Sequence, residues 1–220
     1  MDKFSSQYYD LIEHQLYTAV LADVMDDLGY RRQCLRPSIR PLYPDAKVVG
    51  RAATMLAVDV DQQPAAPYAL ELRLLDELAP GEVVVCTTQG SERAGLWGEL
   101  LSIHTRAKGS RGVIMDGLVR DATRIIQMRF PVYATGFLPA DSKGRLEVIG
   151  IREPIEVGGI GVRDGDLVVG DYDGCLVVPR EIEDEAVARA LEKVAKEDTV
   201  RELLSQGASI QAVFKEHGVL

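Results

Sequence analysis

Residues 95–121 read GLWGELLSIHTRAKGSRGVIMDGLVRD, and the rest of the chain is organised around them. The spacing predicts a helix over Gly95–Ala107, entered through a glycine-flanked acid, Glu99, with Trp97, Leu100, Leu101 and His104 on one face. A short strand follows at Gly112–Met115, then a turn carrying Arg120-Asp121. Twenty residues, 100–119, separate Glu99 from Arg120, enough for one helix and one strand to return the chain to the same rim of a sheet. A helix N-terminus, a cation and two carboxylates then converge. That set suits a divalent metal and an anionic substrate, because a helix start favours negative charge and a hard cation takes carboxylate oxygens.

Each of these residues also has a purely structural reading, which residue type alone favours. Asp116-Gly117 is an ordinary turn pair, Asp121 is a good N-cap for ATRIIQM at 122–128, and Arg120 is a solvated cation. Gly98 makes a tight turn and Glu99 is a favourable acid at a helix start, yet the free N–H groups there also form a ready carboxylate site. His104 and Trp97 lie on the apolar stripe and read as packing or interface residues rather than a general base and a substrate platform.

Upstream, Ser5 or Ser6 caps a first helix to about Gln15, and Thr18 caps a second, AVLADVMDDLG, ending at Gly29. Asp23, Asp26 and Asp27 share one side of that helix and read as a solvated face rather than a metal cluster. Residues 36–45 are a Pro-rich connection, and Lys47–Asp59 is a strand in which Gly50 marks a bulge or a close backbone approach. A Leu-rich amphipathic helix spans 65–78, and Glu82–Thr88 is a buried strand of a mixed sheet. Downstream, PVYATG is a strand, and LEVIGI, PIEVGGIGV, LVVGD and CLVVP are short β runs at hairpin spacing. From Arg180 the chain is helical, with breaks at Gly207 and Gly218.

The 220 residues carry Lys+Arg 25 against Asp+Glu 34, a net charge of -9, with 46% hydrophobic residues. This is an ordinary globular composition, sufficient for one domain with an appended element, and it offers no basic face for nucleic acid. An acidic protein that handles an anion concentrates positive charge locally, through an arginine, a metal or a helix terminus. Cys34, Cys86 and Cys175 follow no metal-ligand spacing and read as buried apolar side chains in a reducing compartment. Residues 1–15 lack the apolar core of a signal peptide, and no run reaches the ~18 apolar residues of a membrane span. The expectation is a cytoplasmic protein without a membrane partner.

Taken in order, GLWGELLS, RGVIMDGLVRD, PVYATG, GVRDGDLVVGDYDGCLVVP and KEDTVRELLSQG make a chain that resembles the RraA-like family over nearly its whole length, from about Thr18 onward. That family comprises regulators of ribonuclease E activity together with class II pyruvate aldolases acting on 4-hydroxy-4-methyl-2-oxoglutarate and 4-carboxy-4-hydroxy-2-oxoadipate. The resemblance implies an α/β fold of the swivelling β/β/α type, also described as phosphohistidine-domain-like, over residues 1–179. A C-terminal helical extension at 180–220 would pack on the same or a neighbouring subunit. It implies homotrimers or homohexamers, a 2-oxo acid substrate and Mg²⁺ or Mn²⁺. It assigns Gly98, Glu99, Leu100 and Leu101 to the substrate carboxylate, Arg120 to substrate, and Asp121 to the metal directly. Glu99, and Glu197 from a neighbouring subunit, would act on the metal through water. The aldolases carry aspartate where this chain has Glu99, an acid one methylene longer.

The implied reaction is C–C cleavage to pyruvate through an enolate, as a 4-hydroxy-2-oxo acid aldolase or an oxaloacetate decarboxylase. A cationic Arg120 and a Lewis acid both stabilise the developing oxyanion. No lysine is placed for a Schiff base, since Lys108 falls at a helix end. The alternative is a non-catalytic regulator that binds a ribonuclease or another protein. Methyl transfer is disfavoured, because no glycine-rich nucleotide loop follows a first strand.

Overall fold

Two short helices come first in the computed structural model, which describes residues 2–218. They are α1 (Ser6–Gln15), whose N-cap Ser5 accepts from the Tyr8 amide, and α2 (Thr18–Asp27). Thr18 begins α2 rather than capping it, and its amide and hydroxyl both donate to Asp171. Next come β1 (Arg40–Pro41), β2 (Val48–Asp59), α3 (Ala69–Asp76) and β3 (Glu82–Thr87). The central stretch supplies β4 (Gly95–Trp97), α4 (Glu99–Ala107), β5 (Gly112–Met115), β6 (Leu118–Val119) and α5 (Ala122–Met128). It is followed by β7 (Val132–Ala134), β8 (Gly136–Phe137), β9 (Leu146–Ile151) and the hairpin β10 (Ile155–Val157)–β11 (Ile160–Val162). The chain ends on β12 (Leu167–Asp171), β13 (Gly174–Val178), α6 (Glu183–Ser205) and α7 (Ile210–His217).

The main sheet runs β1-β7-β5-β3-β2-β12-β13, with β2, β3, β5 and β7 parallel. Long β2 holds β12 along its first half and β9 along its second, both antiparallel. The two edges approach each other, since the Arg40 guanidinium on β1 donates to the carbonyls of Tyr172 and Asp173 at the β12–β13 turn, at 3.2 and 2.9 Å. The sheet is therefore nearly closed.

Strand side chains alternate between the interior of the sheet and two outer apolar layers. Val83, Val85, Ile114, Tyr133, Val168, Cys175 and Val177 point into the closed interior, which the β10–β11 hairpin plugs. Their neighbours Val84, Cys86, Val113, Met115 and Val132 pack outward under α3 and α5, while Leu167, Val169, Leu176 and Val178 pack under α1, α2 and α6. Burial of both faces explains the unbroken apolar runs EVVVCT and GVIM, which show no two-residue alternation. Cys86 and Cys175 are buried as expected, but Cys34 is exposed, because it lies in the connection before β1. No described helix is long and apolar enough to cross a membrane.

Gly50 marks a close backbone approach, not a bulge. A Cβ there would lie 2.4 Å from the Gly81 carbonyl and 2.8 Å from Val83 Cγ2. The Gly81 carbonyl is itself bonded to the Arg51 amide at 3.0 Å, so it cannot yield without opening the β2–β3 register. Gly50→Ala is expected to destabilise by about 1–3 kcal/mol, read as a lower midpoint in urea at unchanged m-value.

Candidate active site

A second, small parallel sheet, β4-β6-β8, sets the geometry of the site. Each of its strands continues from the C-terminal end of a main-sheet strand: β3 into β4, β5 into β6, β7 into β8. The chain after β8 returns to β4, where the Gly95 amide donates to the Ala140 carbonyl at 2.9 Å and Asp141 bridges to Gly95. The start of α4, the β6–α5 turn and the Asp141 segment are thereby brought to one rim.

This explains one difference from the sequence reading. The helix expected from Gly95 starts at Glu99, because Gly95 and Trp97 pair with Leu118 and Val119 as strand. Trp97 is fully buried, its indole N–H donating to Ser102 Oγ at 2.8 Å. Leu100, in contrast, is 75% exposed, and His104 faces outward 3.2 Å from Asp76 rather than lying in the core.

A pocket of about 410 Å³ opens at this rim. Gly98, Glu99, Leu100, Leu101, Arg120 and Asp121 all line it, so the structure brings together every residue expected there from within one chain. Gly98 lets the two turns that carry these residues approach closely: a Cβ would sit 2.8 Å from Asp121 Oδ2 and 3.3 Å from Arg120 Cγ and would displace those side chains. The Glu99 amide donates to Asp121 Oδ2 at 3.2 Å. The N-cap Gly98 has no side chain to cap α4, so beyond the Glu99 amide the pocket-lining residues Leu100 and Leu101 carry orphaned donors of a helix start.

Arg120 is held by its own backbone, its amide donating to the Trp97 carbonyl at 2.8 Å. Its guanidinium lies 2.9 Å from Asp141 Oδ1 and 3.6 Å from Asp121 Oδ2. Asp121 is not the side-chain cap of α5 that its position suggested: it adopts φ 56 and makes no capping bond. The carboxylate turns instead to α4, and Oδ1 accepts no hydrogen bond from the described residues. An oxygen-only donor set of one free carboxylate oxygen, with half-buried Glu99 alongside, fits a hard cation that retains most of its water. Among the described residues no three His, Cys, Asp or Glu side chains converge as a closed metal cage.

Three pocket residues were not singled out from the sequence. Asp141 accepts from the Tyr68 hydroxyl at 2.8 Å as well as from Arg120. Burial pushes its carboxyl up, but the Tyr68 hydrogen bond and the Arg120 charge outweigh that and hold it below its ordinary value. Burial and the hydrogen bond to Asp141 push the Tyr68 phenol up to about 12. Glu71, on α3, is 3% exposed, and burial followed by the Asp141 charge pushes its carboxyl up to about 7. Its signal was present in the sequence: Glu71, Leu74, Leu75 and Leu78 share helical spacing, which places an acid on the apolar stripe. Asp116 is also no ordinary turn residue. It is buried and accepts from Thr87 Oγ1, the Thr88 amide and the Gly158 amide, tying β3, β5 and the hairpin loop together.

Glu197 does not line the pocket of its own chain. It lies on α6, where it accepts the hydroxyl of Tyr17.

Comparison with known proteins decides the family. The RraA-like (Aldolase/RraA) family model matches residues 18–177. The chain belongs to the RraA-like family. A protein of Halalkalibacterium halodurans named "Putative 4-hydroxy-4-methyl-2-oxoglutarate aldolase" is 31% identical over 199 residues, covering 90% of each chain. An uncharacterised protein from Pseudomonas syringae pv. tomato superposes with a TM-score of 0.83 at 29% identity, over 96% of this chain and 98% of the other. The Streptomyces coelicolor protein RraAS2, described as an unusual member of the RNase ES inhibitor RraA family, gives 0.79 at 29% identity, over 90% and 96%. The superposition on the Pseudomonas syringae protein reaches into the C-terminal helices, beyond the residues of the family match.

Proposed function

We propose that this RraA-like chain is a divalent-metal-dependent lyase that cleaves a C–C bond of 2-oxo acids to release pyruvate. The observation that carries the reading is the convergence on one pocket of the α4 amides, Arg120 and the Asp121–Glu99 carboxylates. Aldolase names among relatives point the same way.

The Leu100 and Leu101 amides bind the substrate carboxylate, using the positive end of the helix. Arg120, fixed by Asp141, presents its charge to the keto oxygen, where negative charge develops as the bond to the leaving group breaks. Asp121 would hold Mg²⁺ or Mn²⁺, with Glu99 beside it, and the ion supplies Lewis-acid stabilisation of the same oxyanion. When CO₂ leaves, as from oxaloacetate, no base is needed for cleavage. When a carbonyl compound leaves from a 4-hydroxy-2-oxo acid, Glu99 is the carboxylate placed to organise removal of the hydroxyl proton. The oligomer is taken to be a homotrimer or homohexamer, in which Glu197 of a neighbouring copy reaches the pocket.

Pyruvate release from oxaloacetate, with Mg²⁺ and with chelator, tests the reading after metal-only and spontaneous decarboxylation are subtracted. Protein-dependent, chelator-sensitive turnover is expected. Its absence in a folded preparation would favour the second reading, a protein-binding regulator, which likeness to an RNase ES inhibitor family member supports.

A further inference from the structure

The reaction proposed above leaves one chemical need unmet by the residues assigned so far. Cleavage of the C3–C4 bond leaves its electron pair in an enolate, and pyruvate forms only when C3 gains a proton. Among the pocket carboxylates, Asp141 is bonded to Tyr68 and Arg120, Asp121 is bonded to the Glu99 amide beside Arg120, and Glu99, whose carboxylate has no partner among the described residues, is only half-buried. Tyr68 already donates its hydroxyl proton to Asp141. Glu71 differs from all of these. It is 3% exposed, it lines the pocket and the small crevice adjoining it, and it has no hydrogen-bond or ion-pair partner among the described residues.

A buried carboxyl without a partner is stable only when it carries its proton. We propose that Glu71 is the proton donor of this pocket, delivering its carboxyl proton to C3 of the enolate. The inference rests on the lyase reading. In the step, the Glu71 O–H bond breaks as the C3–H bond forms, the enolate pair supplies that bond, and the keto C=O is restored. Glu71 is left as carboxylate and takes a proton back from water before the next turnover.

The groups around Glu71 favour a proton held near neutrality. From the segment after β8, Asp141 opposes its ionisation, and from β3 the buried Cys86 thiol faces it as a neutral group. Tyr68, one turn before it, stays neutral through its bond to Asp141. Arg120 and Asp121 share the pocket from the β6–α5 turn and Glu99 from α4, while Lys143 and Glu147 reach the crevice with opposite charges. Burial dominates, and the resulting value of about 7 suits an acid that must both give and regain a proton at neutral pH.

The test is exchange of the pyruvate methyl hydrogens for solvent deuterium, followed by proton NMR with Mg²⁺ present. By microscopic reversibility this runs the donation step backwards, with ionised Glu71 as base, so wild-type exchange should rise with pH as Glu71 ionises and then level. Glu71→Gln is expected to exchange at least about 100-fold more slowly and to lose that pH limb, while binding oxalate, an enolate mimic, within a few-fold of wild type. The variant also has a readout independent of catalysis. It should melt above wild type at pH 8, with the gap narrowing as pH falls and closing only below the carboxyl's ordinary value of 4.5, where Glu71 is protonated in the folded and unfolded chain alike. Equal exchange in wild type and Glu71→Gln overturns the proposal and leaves the lyase reading intact. A wild type that neither binds oxalate nor exchanges removes both. Should the glutamine variant fail to fold, Glu71→Asp serves: an unchanged rate and unchanged pH limb would overturn the proposal.

Discussion

Asp121→Asn should lose metal-dependent pyruvate release while keeping the fold. The asparagine keeps the size of the side chain and tolerates the left-handed backbone at φ 56, which alanine would occupy at a cost of about 1 kcal/mol. Nothing in the helix depends on the carboxylate, because Asp121 makes no capping bond to α5. What is lost is the charge facing the pocket. Removing partners in the outer shell of a metal site costs about 10–100-fold, and removal of the ligand itself should exceed that. We therefore expect a fall in kcat/KM of more than about 100-fold, with unchanged circular dichroism and loss of Mn²⁺ binding by electron paramagnetic resonance. Arg120→Ala should also lose about 100–1,000-fold, in kcat, as expected for a donor aimed at developing charge, but should retain Mn²⁺ binding. Full activity in either variant would sink the site assignment.

The second large effect is on stability, and it lies far from the pocket. Glu183 opens α6 and is 2% exposed; Arg51 on β2 is 5% exposed. The guanidinium grips the carboxylate through both oxygens, at 2.5 and 2.7 Å, and Tyr8 of α1 donates a third bond at 2.9 Å. Arg51 also lies over the Phe4 ring, 4.9 Å from its centroid, and donates to the Lys3 carbonyl. One ion pair thus fastens the N-terminal segment, the central strand and the long C-terminal helix to one another. Glu183→Ala strands a buried guanidinium and should cost about 3–5 kcal/mol, lowering Tm by about 10 °C. Replacing both partners, as in Arg51→Met with Glu183→Leu, should recover most of that loss, because the penalty belongs to the unpaired charge rather than to the missing attraction. Scanning calorimetry of the single and double variants measures both. If the double variant is as unstable as the single one, the contact works through packing instead.

By itself, the sequence determined most of the succession of elements and brought Glu99, Arg120 and Asp121 together as one candidate site. The order of strands and helices follows from local signals that do not need a partner: apolar runs bounded by glycine and proline, Ser5 at a helix start, Gly207 and Gly218 at helix ends. Glu99, Arg120 and Asp121 were legible together because twenty residues of helix and strand return the chain to its starting rim. Tertiary structure decided what those residues touch. Local periodicity extended α4 back to Gly95, but pairing with β6 converts that turn to strand, since an unpaired backbone in the interior is more costly than a shorter helix. Asp121 resembled a helix cap until the approach of α4 across Gly98 gave its carboxylate another donor. Asp141 and Tyr68 enter the pocket through the return of the chain from β8 to β4, a contact between residues distant in sequence that no local pattern encodes. Whether Glu71 is a surface acid or a buried one is set by whether α3 is covered. Its helix carries the apolar stripe that demands a cover, but only the folded sheet provides it, and with it the low-dielectric surroundings that keep the proton on the carboxyl.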